Sequence, residues 1–288
     1  MTFRTRREAL RTILAGDHCI HPGSVYDAIS IRIAEDLGFA LGMFGGSAAS
    51  LAILGDPDIA LITLTELAEQ MRRMSRAAAL PVLVDADHGY GNAMNVRRTV
   101  QELEAAGAAG LTIEDTLLPQ AFGVDKPQLI SLAEGVGKVK AALDGRGDPS
   151  LVILGRTGAV SITSLDDAIA RAKAYEACGV DGLFFTGITA RDQLDAIAAA
   201  TSLPIVLGGA PESMSDLDYL AARRVRVALQ GHAPIAAATL AVHETLKALR
   251  EGVSPKQLKG LPPSDLTARV MRESDVKQRL RAFLGLAP

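Results

Sequence analysis

Short, nearly unbroken apolar runs alternate along this chain with longer stretches whose apolar residues recur every three or four positions. The segments Leu37–Gly45, Ala106–Glu114 and Cys178–Thr186 share one order: a helix end, a glycine, then an apolar strand closing on a polar or small residue. A second theme, Leu-Pro followed by three apolar residues, recurs at Leu80–Asp85 and Leu203–Gly208. Glycine after a helix supplies the left-handed residue that ends it. Near-continuous apolar strands are buried on both faces, as in a parallel sheet.

This pattern predicts eight strands, near residues 19–24, 40–45, 82–86, 110–114, 151–155, 182–186, 204–208 and 226–230. Helical spacing of apolar residues predicts helices over Thr65–Ala79 and Asn95–Ala106. Another is predicted over Asp166–Ala177, where the acidic start suits the positive end of a helix. Eight strands alternating with helices make an α/β fold, a (β/α)8 TIM-type barrel over residues 1–251. Residues 252–288, with Pro255, Pro262 and Pro263, form a C-terminal helical extension: loop, then one charged amphipathic helix over Ser264–Phe283. That helix is either solvated or packed on a neighbouring subunit. The uncharged stretch Leu37–Gly55 is long enough to suggest a membrane span. Its five glycines speak against one continuous helix, so it reads as a buried strand followed by a Gly-rich loop.

Composition narrows the possibilities. A length of 288 residues suits one barrel of about 250 residues with a tail. Hydrophobic residues at 48% and charged residues at 22% exclude disorder or coiled coil as the main architecture. A net charge of −3 without a basic run argues against nucleic acid and anionic membrane as partners. Trp is absent and aromatics are 4%, so base-stacking platforms are excluded and the core is Ala, Leu, Ile and Val. Cys19 and Cys178 make no disulfide framework and are expected as two buried thiols in a reducing cytoplasm. The N-terminal segment carries Arg4, Arg6, Arg7 and Arg11 and lacks the apolar centre of a signal peptide.

Barrel enzymes build their sites at the C-terminal ends of the strands. Here those ends carry Gly45-Gly46-Ser47, Asp85-Ala86-Asp87-His88-Gly89, Glu114-Asp115, Gly155-Arg156-Thr157 and Gly231-His232. Adjacent buried carboxylates are costly without a cation. Asp85, Asp87 and Glu114 therefore point to all-oxygen ligation of Mg2+ or Mn2+. The competing reading has Asp87 capping a turn or pairing with an arginine. Arg156 is a carboxylate clamp, or a salt-bridge partner of Glu114 or Asp87, or both. Gly46 and Ser47 offer N–H groups and a hydroxyl to an anion, although Gly-Gly-Ser is also common turn chemistry. His232 stands at a strand end, where catalytic and structural roles are evenly balanced. His88 adjoins the Asp pair but faces away on one reading, and His18, His21 and His243 are peripheral. No Cys or His is spaced for zinc, and no nucleotide-binding glycine motif is present.

The string Asp85-Ala86-Asp87-His88-Gly89-Tyr90-Gly91-Asn92, with Thr112-Ile113-Glu114-Asp115 and Gly155-Arg156-Thr157, resembles the isocitrate lyase/phosphoenolpyruvate mutase superfamily. Gly45–Ser50 and Leu54–Asp58 extend the match, which covers about residues 20–250. Leu117-Leu118-Pro119 and Gly231-His232 are most similar to its bacterial oxaloacetate decarboxylase branch. The resemblance implies a Mg2+-dependent (Mn2+ as substitute) barrel acting on small α-keto dicarboxylates, assembled as a homotetramer that exchanges a C-terminal helix. It implies that Asp85 holds the metal directly, that Asp87, Glu114 and Asp58 hold its waters, and that Ser47, Gly46, Arg156 and His232 contact substrate. The implied reaction is decarboxylation of oxaloacetate to pyruvate and CO2, with Arg156 and His232 as catalytic residues. Lyases of methylisocitrate or dimethylmalate, a phosphonopyruvate hydrolase, and a degenerate barrel that only binds keto acids are the alternatives. Two departures matter. Lyase members carry Lys-Lys-Cys-Gly-His after the fourth strand, where this chain reads Leu117–Gly123 without Cys or His. Gly158 stands where Asn or Asp is usual, so the contact made by that side chain is missing.

Overall fold

The computed structural model describes residues 2–285. Two compact units divide between Ala233 and Pro234.

The first unit is an eight-stranded parallel sheet in strict sequence order. Its strands are β1 (Gly23–Ser24), β2 (Gly42–Phe44), β3 (Val82–Asp85), β4 (Gly110–Glu114), β5 (Val152–Thr157), β6 (Gly182–Thr186), β7 (Ile205–Gly208) and β8 (Val225–Ala228). The barrel closes where Ile20 bridges Val227 in parallel, with Ile20 N–H donating to Arg226 O at 3.0 Å and Ala228 N–H to Ile20 O at 2.9 Å. All eight expected strands are present, as are helices at Leu64–Ala77, Ala93–Ala106 and Leu165–Cys178. Gly107 and Gly179 end the last two helices at positive φ, the backbone region open to glycine at little cost.

Three apolar clusters hold the barrel. One fills its interior with Met43, Leu83, Leu154, Phe184, Val206 and Val227. The other two lie between sheet and helices. Leu10 and Leu14 of the Phe3–Ala15 helix join the interior cluster. That helix seats its arginines on the N-terminal strand ends: Arg7 on Ala108 O and Glu104 O, Arg11 on the carbonyls of Pro149, Ser150 and Leu151.

Three expectations need correction. The Gly-rich loop after β2 is a helix, Gly46–Ile53. Its glycines fall at the start (Gly46), before it (Gly45) and after it (Gly55), leaving Ser47–Ile53 as an Ala-rich helical run. In the second unit, the single helix expected over Ser264–Phe283 is two, Ser264–Val270 and Glu273–Leu284. The break lies at Met271–Arg272, where Arg272 turns left-handed at φ 56°. The second unit also contains residues 234–250 of the Ala233–Arg250 helix. Cys19 is buried as expected, whereas Cys178 at a helix end is only partly buried. No helix among the described residues is long and apolar enough to cross a membrane.

Candidate active site

A cavity of about 210 Å³ opens at the C-terminal strand ends. Five of the expected site residues line it: Ser47, Asp58, Asp85, Arg156 and His232. Pro22, Met43, Phe184 and Leu229 give it an apolar wall, while Ser24, Thr186 and Gln230 add polar groups. Asp87 and Glu114 do not line the cavity. Both are buried, Glu114 beside Arg156 and Asp87 against Gly46.

The loop after β3 is built to hold carboxylates at this spot. Asp87, Gly89, Tyr90 and Gly91 all have positive φ, at 46°, 78°, 60° and 147°. For Asp87 and Tyr90 this costs roughly 1 kcal/mol each. Hydrogen bonds hold the loop against that cost. Glu114 N–H donates to Asp87 O at 2.9 Å, Thr99 Oγ1 to Gly89 O at 3.1 Å, and the buried Lys138 Nζ to His88 O at 2.9 Å. Asn92 then caps the Ala93–Ala106 helix, its side chain accepting from Met94 and Asn95 N–H. Gly89 tolerates no side chain, since a Cβ there would lie 2.4 Å from Val96 Cγ2.

Arg156 ties the carboxylates together. Its Nη1 pairs with Asp85 Oδ2, and its Nε lies 3.2 Å from Glu114 Oε2, near enough for an ion pair though not aligned as a hydrogen bond. Burial alone would lower the Arg156 pKa, but Asp85 and Glu114 outweigh it and hold the guanidinium charged. Asp85 Oδ1 accepts from Thr112 Oγ1 at 3.0 Å. One guanidinium does not neutralise this cluster. Burial, then the charges of Asp85, Glu114 and Asp58, push the Asp87 carboxyl well above its usual range. Burial likewise raises Glu114, against the pull of Arg156. Asp87 Oδ2 is buried without a hydrogen-bond partner among the described residues.

On the opposite side, Ser47 Oγ donates to the exposed Asp58 Oδ2 at 2.6 Å, and His232 Nδ1 lies 2.9 Å from Ser24 Oγ. Burial lowers the His232 pKa, opposed by the Asp85 and Asp58 charges. Its ring rests on Gly45, where a Cβ would come within 2.5 Å of Cε1. Gly46 opens the Gly46–Ile53 helix without a side-chain cap and backs onto Asp87 Oδ1, 2.7 Å from where a Cβ would stand. His88 is buried and lowered to about 4, by burial and by Lys138. His18 and His243 are exposed, and His21 Nδ1 lies 2.7 Å from Ala228 O; none of the three lines the cavity.

Four contributors escape a reading of the sequence: Ser24, Thr112, Lys138 and Gly45 as the seat of His232. Only Lys138 leaves a signal, a lysine on the helical stripe Gly135, Lys138, Val139, Ala142 that is otherwise small or apolar.

The donors fit a hard divalent cation. They are carboxylate oxygens, their charge exceeds that of Arg156, and a buried Asp87 oxygen has no partner among the described residues. No three His, Cys, Asp or Glu groups among the described residues form a ready-made shell.

A parallel eight-stranded barrel with carboxylates and a guanidinium at its C-terminal mouth defines the class of the protein. Residues 10–250 match the family model described as phosphoenolpyruvate phosphomutase, and the chain belongs to that family. It is 88% identical over 284 residues to a Bradyrhizobium sp. (strain BTAi1) protein named oxaloacetate decarboxylase, covering 99% of each chain. It is 76% identical over 286 residues, again 99% of each, to a Rhodopseudomonas palustris (strain BisA53) protein of the same name. Among solved structures, oxaloacetate acetylhydrolase with the inhibitor 3,3-difluorooxalacetate is similar, with a TM-score of 0.85 and 25% identity over 99% of this chain and 98% of that one. Phosphonopyruvate hydrolase in complex with oxalate and Mg2+ is similar with the same TM-score and identity, over 97% and 99%.

Proposed function

We propose that this protein is a divalent-metal-dependent oxaloacetate decarboxylase that forms pyruvate and CO2. The observation that carries the reading is 88% identity, over 99% of both chains, to a relative of that name. In this reading Asp85 holds Mg2+, or Mn2+ in its place, directly, while Asp87, Glu114 and Asp58 hold its water ligands. When bound, the ion supplies a Lewis acid against the negative charge that develops on the keto oxygen.

The chain's own residues do the rest. Arg156 and the N–H groups at Gly46 and Ser47 bind and orient the carboxylate beside the keto group. The apolar wall of Met43, Phe184 and Leu229 faces the other carboxylate. A charged group is poorly solvated there and neutral CO2 is not, so the wall favours loss of charge. Ser24 at Nδ1 fixes the His232 ring at the cavity, where it relays from solvent to carbon the one proton that replaces CO2. The 117–128 loop offers no Cys or His, and decarboxylation needs no acid there, unlike release of a succinate-like fragment.

The test is an assay of purified protein with oxaloacetate, methylisocitrate, dimethylmalate and phosphonopyruvate, before and after EDTA. Oxaloacetate should be the preferred substrate, EDTA should abolish turnover, and Mg2+ or Mn2+ should restore it. Full activity in metal-free protein, or efficient cleavage of methylisocitrate, overturns the reading.

The protein is further proposed to act as a cytoplasmic homotetramer whose residues 252–288 pack on a neighbouring copy. Two free cysteines support the reducing compartment. Exposed Leu240, Val242 and Leu246 in the Ala233–Arg250 helix, with Leu280, Phe283 and Leu284 further on, support the packing. Light scattering of the full chain against a chain ending at residue 251 tests it, with a smaller assembly expected from the shorter chain.

A further inference from the structure

Thr112 is fully buried, in the middle of β4. Its neighbours Leu111 and Ile113 pack into the cluster between sheet and helices. By strand alternation Thr112 faces the barrel interior, among side chains such as Met43, Leu83, Leu154 and Phe184. Valine has nearly the same shape and would suit that interior. A hydroxyl placed there is costly unless it is bonded. It is bonded: Thr112 stands opposite Asp85 in the β3–β4 register, and its Oγ1 donates to Asp85 Oδ1 at 3.0 Å. The Thr112 carbonyl accepts from Ala86 N–H at 3.2 Å, so one residue fixes both the main chain and the carboxylate at this point.

We propose that Thr112 is a positioning residue that sets the orientation of the Asp85 carboxylate and thereby the affinity of the site for its divalent cation. The proposal rests on the metal-dependent reading above. Thr112 is fully buried and does not line the cavity. Its effect should be felt in metal binding and not in substrate affinity, as with other groups that orient a ligand from behind.

The test measures Mn2+ binding to the metal-stripped full chain by electron paramagnetic resonance of the free ion, which needs no turnover. Thr112→Val should weaken Mn2+ roughly 10- to 100-fold. Thr112→Ser, which keeps the hydroxyl, should lie within about twofold of wild type. At saturating Mn2+ the KM for oxaloacetate should be unchanged in both variants, while the metal concentration for half activation rises only in Thr112→Val. Thr112→Cys, smaller and a weak donor, gives the same comparison if Thr112→Val does not fold. Wild-type Mn2+ affinity in Thr112→Val overturns the proposal, as does Thr112→Ser binding as poorly as Thr112→Val, since shape would then be what matters. Asp85→Ala separates the two levels. If it binds Mn2+ as tightly as wild type, the metal reading itself fails, whatever Thr112 does.

Discussion

At the N-terminal end of the barrel, Asp181 is held on both oxygens. Arg11 Nη2 meets Oδ1 at 2.9 Å, while Arg146 Nη1 and Ile153 N–H meet Oδ2 at 2.8 Å each. Nearby, Arg7 Nη1 meets Asp148 Oδ2 at 3.1 Å, and Ser150 donates to Asp148 Oδ1. At the C-terminal end, Asp85, Asp87 and Glu114 share Arg156, and Asp87 Oδ2, His88 Nδ1 and Tyr90 OH are buried without partners among the described residues. At the first end both carboxylates are matched within the chain, although Arg6 and Arg224 there each keep a buried Nε without a partner among the described residues. The other leaves negative charge and polar atoms unmatched and bends its backbone to do so. The difference separates charge that serves stability from charge that awaits a ligand.

The sharpest way to break the comparison is to remove charge at the unmatched end. Asp85→Ala should cut kcat by ~1000-fold or more, because several kcal/mol of charge stabilisation goes with the cation. The barrel should stay folded, since Arg156 keeps Glu114 and the carboxylate excess falls. Steady-state kinetics beside a thermal melt reads both. A melt that collapses while the folded fraction keeps its turnover would reverse the roles of the two ends.

Arg156→Lys comes next. Lysine keeps the charge but has no planar fork to span Asp85, Glu114 and a substrate carboxylate. A fall of roughly 100-fold in kcat/KM is expected, with little change in melting temperature. Wild-type kcat/KM in this variant would remove Arg156 from the clamp.

At the matched end the signs exchange. Asp181→Asn loses the charge that two arginines share and should cost about 2 kcal/mol, a few degrees in melting temperature. The kcat should not move, because none of these residues lines the cavity. A change in kcat without a change in stability would show that the two ends are coupled.

This contrast was partly legible in the sequence. Strands buried on both faces leave an apolar run bounded by Gly or Pro, so the eight strands and the residues at their ends could be located without coordinates. Asp85, Glu114 and Arg156 were visible as charges closing such runs. The Gly46–Ile53 helix was hidden because glycine content argues against a helix whatever its position, and only the structure shows the glycines at the boundaries. Thr112 and Lys138 were hidden for another reason. A polar residue inside an apolar pattern has no assignable role until its partner is known, and their partners lie 27 and 50 residues away. The matched end was equally opaque, since an arginine seated on carbonyls looks in sequence like a solvated one.

The smallest expected effect concerns the cysteines, and it sharpens the contrast by showing what the unmatched end does not need. A lyase releasing a succinate-like fragment must protonate a departing carbanion, a task for an acid such as a thiol at the cavity. Neither thiol here stands at the cavity. Cys19 is buried ahead of β1, and Cys178 closes the Leu165–Cys178 helix with its Sγ 3.1 Å from Ala174 O. Burial pushes the Cys19 thiol up to about 11, with Arg226 opposing. At pH 8 Cys19 is therefore protonated, and it should resist iodoacetamide until the pH nears that value, since only the thiolate reacts. The double variant Cys19→Ser/Cys178→Ser should keep its kcat on oxaloacetate to within about twofold, and Cys19→Ser should lower stability by about 1 kcal/mol for a hydroxyl placed in an apolar site. Mass spectrometry of alkylated protein against pH reads the first expectation, and kinetics with a thermal melt the second. Loss of turnover in the folded double variant would mean that a thiol takes part in bond cleavage, and the chemistry would then be that of the lyases.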